Sequence, residues 1–298
     1  MKLFILVTAI SIVFSSCTNE ETISNSADTS SKTEVLLASE IRWEKLNPAR
    51  GDKSPQAGTL WGNRKGTTGL GEGCGSVCPL CSHGPVPTGF LARFVDGFSS
   101  PPHIHNVTYR AVVISGLVHN NDPGAAPMWM SPGSFWTQPK GEVHITAAKG
   151  ESTVALVEID TGPYLVMPPE EAFDSGEKPV NVDASNLVWT DLPGMPRSSE
   201  GPKVSYLWGN LEEGQSNGTF IKFPPEFSGA LKSHGTSFRS VVIKGQLQYH
   251  GTDTLTLDPS SYLGSSGPTT HQLSNTAEGE SVIYIRTNGQ YELELSKL

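Results

Sequence analysis

Three histidines in the first half of the chain have the types and spacing for metal chemistry: His103, His105 and His144. His103 and His105 are separated by one residue. Alternate residues of a β-strand point to the same face, so both imidazoles can reach one point in space. His144 follows a Gly- and Pro-containing turn that returns the chain. Two histidines from one strand and a third from a neighbour supply three nitrogens and leave coordination positions open. Such open sites suit catalytic Zn or non-haem Fe.

The flanking residues carry a resemblance. Gly97, five residues, His103, one residue, His105, three residues, Tyr109, six residues, Gly116 resembles the first motif of the cupins. Gly133, five residues, Pro139-Lys140-Gly141, two residues, His144 resembles the second. Tyr109 stands where cupins usually place a glutamate ligand, and Ala148 where the second motif usually has Asn. The resemblance therefore implies a three-histidine set for a divalent transition metal (Fe, Zn, Mn or Cu). A neutral phenol is a poor ligand, so Tyr109 is expected beside the metal as a hydrogen-bond donor to whatever binds there, with a catalytic role.

The elements that must position these residues come in two copies. Ile41–Leu46 matches Leu187–Leu192, and Leu60-Trp61-Gly62-Asn63 matches Leu207-Trp208-Gly209-Asn210. Thr88–Phe94 matches Asn217–Phe223, and Tyr109–Gly116 matches Phe238–Gly245. Each copy has short Val, Ile and aromatic runs between Gly/Pro turns, the pattern of a sandwich or barrel. The resemblance implies an all-β fold of two tandem cupin (jelly-roll) barrels. The first is expected over 41–168 and the second over 186–298, with a Pro/Glu-rich connector at 169–185. The stretch from Trp43 to Pro168 also resembles an uncharacterised bacterial cupin family, domain of unknown function 4437.

Aligning the copies on Gly116 and Gly245 places Lys232 at His103, His234 at His105 and His271 at His144. A protonated lysine has no lone pair, so the second barrel reads as degenerate and structural. Arg110 and Arg239 also match, as a structural charge contact or a substrate clamp. Met128, Trp129, Phe135 and Trp136 flank the second motif and are expected in the barrel core, with one or two at the pocket mouth.

Composition agrees with a turn-rich globular chain: 298 residues, 36% hydrophobic, 31 Gly and 22 Pro. The formal charge is −9 with no Lys/Arg cluster, which argues against nucleic acid as a partner. Lys2 and the mainly apolar run Leu3–Phe14 read as an export signal, too short for a usual membrane span. The run ends in Phe14-Ser15-Ser16-Cys17, which resembles a lipobox with Cys17 as the lipidated residue; an ordinary secretory signal is the alternative. Residues 18–40 are polar and read as a disordered tether. The expected location is the bacterial cell envelope, periplasm or outer membrane, with the lipid as the membrane attachment.

Cys74, Cys78 and Cys81 lie with His83 in an insertion that the second copy lacks. Two readings stay open: one disulfide with an odd thiol, or a small Zn knuckle. No nucleophile–base motif, P-loop or dinucleotide fingerprint is present. Three-histidine cupins include dioxygenases that cleave diketones and hydroxyketones, which implies a metal-dependent dioxygenase of a small dicarbonyl-like substrate. The alternative is an envelope lipoprotein that binds or senses a metal or small ligand without turnover. A homodimer is left open in either case.

Overall fold

The computed structural model describes residues 32–66, 87–195 and 200–296. Cys17, residues 1–17 and the Cys74, Cys78, Cys81 and His83 group lie outside the described residues.

The chain is nearly all antiparallel β-structure, built as two tandem jelly-roll barrels. In the first, one sheet runs in the order Val180–Val182, Phe135–Gln138, Tyr109–Asn121, Ile145–Ile159, Thr88–Phe94, Gln56–Trp61, Trp43–Lys45. The second copy repeats this order: Tyr262–Ser266, Ser237–Lys244, Ser281–Thr287, Asn217–Phe223, Lys203–Gly209, Thr190–Asp191. A five-stranded sheet closes the second barrel, with Ser228–Ser233 between Thr269–Asn275 and Tyr291–Leu295. The first barrel is closed by its two long strands bending over, with a bridge between His103 and His144 and a short pair of Ile104–His105 with Val166–Met167.

Alternation explains the unbroken apolar runs. On the strand from Tyr109, residues 109, 111 and 113 face the interior of the first barrel, while Val112 and Ile114 face the second barrel. Phe238 and Val242 likewise face inward, and Val241 and Ile243 face outward. A strand buried on both faces has no polar side to show. The outward faces of the two sheets meet in one shared core with Leu91, Phe135 and Leu156 from one copy and Phe220, Tyr262 and Tyr284 from the other. The repeated Trp-Gly-Asn boxes serve this junction. Trp61 stacks on Tyr262 with ring centroids 5.4 Å apart. Trp208 lies under the Arg110 guanidinium at 3.8 Å and donates to the Tyr284 hydroxyl at 2.9 Å. Each indole covers a glycine, Gly89 or Gly218, where a Cβ would collide with the ring.

Gly116 and Gly245, on which the copies align, both adopt positive φ (71° and 79°). A Cβ there would collide with Thr153 in the first case and Ser281 in the second. The strand turns its corner at this residue, and only glycine meets both demands.

Strand pairing departs from the expected boundaries at both ends of the first copy. Lys32–Leu36, expected within the tether, forms a strand on the edge strand Tyr262–Ser266 of the second barrel. Its Val35, Leu36 and Leu37 pack on the two cores. Val180–Val182, expected in the connector, extends the first barrel's sheet beside Phe135–Gln138. An exposed strand edge offers a full row of backbone partners, and that satisfies segments too short and polar to be recognised alone.

Candidate metal centre

The turn at Pro139-Lys140-Gly141 sets up the site. Gly141 has φ 77° and donates its N–H to the His105 carbonyl at 2.9 Å. Three residues on, His144 and His103 exchange both backbone hydrogen bonds, at 3.0 and 3.1 Å. The two side chains thus start from directly opposed positions, and their rings lie 4.3 Å apart. His105, on the same face as His103, completes the group with ring distances of 5.0 and 5.1 Å. One ligand nitrogen from each histidine lies within 4.8 Å of the others. Two bonds of about 2.1 Å on one ion place their nitrogens no more than about 4.2 Å apart, so the three rings draw in by up to about 0.6 Å to share a metal.

Tautomers follow from the outer hydrogen bonds. Each Nδ1–H donates to a backbone carbonyl: His103 to Pro101 at 2.9 Å, His105 to Leu165 at 2.8 Å, His144 to Glu142 at 3.2 Å. Every Nε2 therefore carries the lone pair, and carbonyl partners of this kind orient metal-bound imidazoles. The buried Nε2 of His144 has no hydrogen-bond partner, which is costly for a buried acceptor unless something else meets it. Burial lowers the pKa of all three rings, that of His105 to about 3 with the His103 charge adding to the effect. The rings are neutral at neutral pH, as ligation requires. The donor set fits a divalent transition metal.

Above the histidines is a cavity of about 360 Å³ walled by Phe90, Phe94, Phe98, Ala92, Ala155 and Val157. Trp136 lines it too, as expected for one of the aromatic residues beside the second motif. Tyr109 is buried beside His105, with ring centroids 5.2 Å apart. Its hydroxyl is already engaged: it donates to Asn120 Oδ1 at 2.9 Å and accepts from Trp136 Nε1 at 3.4 Å. Burial pushes its pKa up to about 12. The residue that sequence reasoning missed is Tyr164. Its ring stacks on His105 at 4.4 Å, and its hydroxyl donates to His105 Nε2 at 3.1 Å. Nothing local marks Tyr164, because its contact spans 59 residues of chain.

The second barrel corrects the alignment of the copies. His271 pairs with Leu231, as His144 pairs with His103. The inward residues are therefore Leu231 and Ser233, both buried, not Lys232 and His234. Three residues separate His105 from Tyr109, but four separate Ser233 from Phe238. One extra residue sends the flanking side chains to the opposite face. Lys232 and His234 point out and pair with Glu294 and Glu292. His271 stacks on Phe238 at 5.0 Å and shares a hydrogen bond with Ser265 at 3.1 Å. No group of three His, Cys, Asp or Glu ligands forms around it among the described residues. Arg110 and Arg239 prove structural: Arg110 pairs with Asp160 at 3.0 Å, and Arg239 donates to the Phe238 and Ser265 carbonyls at 3.0 Å.

Two jelly-roll barrels in tandem, one with a three-histidine floor, define a cupin-type protein. The sequence profile of the domain of unknown function DUF4437 matches residues 34–71 and 80–294, and the chain belongs to that family. The fold is similar to that of a candidate dioxygenase from Nostoc punctiforme, at 10% identity and a TM-score of 0.62, covering 90% of this chain and 87% of that one. It is also similar to the 7S globulin of Momordica charantia, at 8% identity, TM-score 0.54 and coverage of 88% and 86%. Bacillus subtilis oxalate decarboxylase, a protein with Mn(II) centres, aligns at 14% identity, TM-score 0.50 and coverage of 88% and 78%. No curated protein sequence matches the chain.

Proposed function

We propose that the protein holds one divalent transition metal through the Nε2 atoms of His103, His105 and His144 and acts there on a small organic molecule as a dioxygenase-like oxidoreductase. The carrying observation is the set of three Nδ1–H bonds to backbone carbonyls, which turns three Nε2 atoms toward one another beside an apolar cavity, that of His105 held by the Tyr164 hydroxyl in the metal-free chain. A bound metal would supply Lewis acidity and open positions for substrate and oxygen. The chain's own part is to orient the imidazoles, to keep water off the reacting centre with the Phe90, Phe94 and Phe98 wall, and to present the Tyr164 hydroxyl beside His105. Tyr109 holds Asn120 and Trp136 in place behind that wall. Mn(II) in one similar fold and the dioxygenase description of another place Mn and Fe among the metals to test first, with Zn and Cu after them.

The test is metal analysis of the purified protein, then oxygen uptake with diketones and hydroxyketones. Stoichiometric metal with substrate-dependent uptake supports the reading. Stoichiometric metal without turnover of any of them supports instead a ligand-binding or sensing protein. The same reading places the chain in the cell envelope through Cys17. Cys17→Ser should release it from the membrane fraction, and unchanged membrane association would contradict a lipid at that residue.

A further inference from the structure

The cavity contains one permanent charge, and it is positive. Apart from the histidines, its lining residues are apolar or neutral, with Arg50 as the exception. Arg50 sits on a lip formed by the 3-10 segment Pro48–Lys53. That lip is pinned from below: Leu46 donates to the Pro55 carbonyl at 2.8 Å, and Asn47 N–H donates to the Oγ of buried Ser54 at 2.9 Å. The guanidinium lies over the Phe98 ring at 5.0 Å and gives one hydrogen bond, to the Ser99 carbonyl at 3.3 Å. It has no carboxylate partner among the described residues. Asp52, two residues beyond Arg50, and Asp96, two residues before Phe98, are engaged elsewhere. Asp52 pairs with Lys45 at 3.0 Å, and Asp96 accepts from the Gly150 N–H at 2.7 Å. A guanidinium carries five N–H donors in a planar fork that matches a carboxylate. Most of that capacity is unspent, at the edge of an apolar chamber, in a chain of formal charge −9.

We infer that the first barrel binds an amphipathic monocarboxylate, with the carboxylate on Arg50 and an aromatic or alkyl body against Phe90, Phe94 and Phe98. This deepens the proposed function by naming its ligand class, and it rests on that reading only for the end of the ligand that meets the histidines. A compact dianion such as oxalate is a poor fit. It would leave the aromatic wall unsatisfied and bring a second negative charge into a region with one cation.

The experiment titrates 4-phenylbutyrate into the full chain by calorimetry, after chelator treatment so that the metal plays no part. Wild type should bind with measurable affinity. Arg50→Met should weaken binding about ten- to a hundredfold, the loss expected for a charged hydrogen-bonded pair, and Arg50→Lys should recover part of it. The neutral 4-phenylbutyramide should bind wild type about as weakly as the acid binds R50M, and oxalate should show no heat. Equal affinity of R50M and wild type, equal affinity of amide and acid, or absence of binding by wild type overturns the inference. Circular dichroism and metal uptake of R50M check that the barrel is intact. His144→Ala separates the two readings: it should lose metal yet keep phenylbutyrate binding in the metal-free state. Retained metal in H144A counts against the proposed function, while lost phenylbutyrate binding in H144A counts against the Arg50 site.

Discussion

The two barrels share strand order, corner glycines and tryptophan boxes, yet one is hollow and the other is filled. Ala92 on the inner wall of the first becomes Ile221 in the second, and Ala155 becomes Ile283. His103 and His105 become Leu231 and Ser233. The first encloses about 360 Å³, whereas the interior gap of the second is about 10 Å³. A histidine trio and its cavity were thus present or absent together. A duplicated fold can dedicate one copy to a site and the other to packing, because the shared core needs only the outward faces of both.

The severest way to break this comparison is to separate the copies. Glu158 of the first barrel is 1% exposed and accepts from Tyr284 at 2.8 Å and Arg286 at 3.2 Å, both in the second. Glu158→Ala leaves the Arg286 guanidinium buried with Asp160 alone and should cost about 3–5 kcal/mol, read by denaturant unfolding. A loss under about 1 kcal/mol would mean that Glu158 adds little to the remaining contacts between the barrels.

Cavity substitutions come next. Ile221→Ala opens a void in the filled barrel and should cost about 2–5 kcal/mol. Ala92→Ile adds bulk to existing space and should cost less than about 1 kcal/mol, below the usual penalty of overpacking, while blocking phenylbutyrate. Equal costs in both barrels would show that the first is not hollow in solution.

The pH dependence sharpens the contrast further. Burial lowers the pKa of His105 to about 3 and that of His271 to about 4. A depressed folded-state value means the unfolded chain binds the proton more readily. Stability is therefore complete above the unfolded value near 6.5 and falls as pH drops toward 4. Thermal midpoints of metal-free protein should show this decline. His271→Phe should remove only the second barrel's share, and an unchanged slope in that variant would contradict a buried neutral His271.

Much of the site was legible because its signals are local. His103 and His105 share a strand face by simple alternation, and the Pro139-Lys140-Gly141 turn announces His144. The duplication was legible from the order of four matched segments. What failed was register. Lys232 and His234 fell at the positions of His103 and His105 because alignment on Gly245 ignores one extra residue before Phe238, and a single residue reverses the face. Tyr164, Arg50 and the strand Lys32–Leu36 were illegible for another reason. Their partners are set by tertiary closure, and no periodicity in a short window encodes a partner more than forty residues away.

The smallest expected effect concerns Tyr164. Its hydroxyl donates to the nitrogen that a metal would engage. Tyr164→Phe should destabilise the metal-free protein by about 1 kcal/mol, one hydrogen bond, and the metal-loaded protein by less. Equal losses in both states would show that metal and hydroxyl do not share His105 Nε2.

The central claim is that metal resides in the first barrel alone. Elemental analysis of the full chain after saturation with Mn(II), Fe(II) or Zn(II) and dialysis tests it most directly, on wild type, His144→Ala and His271→Ala. The account predicts one metal per chain for wild type and H271A and none for H144A. Retention of metal by H144A, or its loss from H271A, would contradict it.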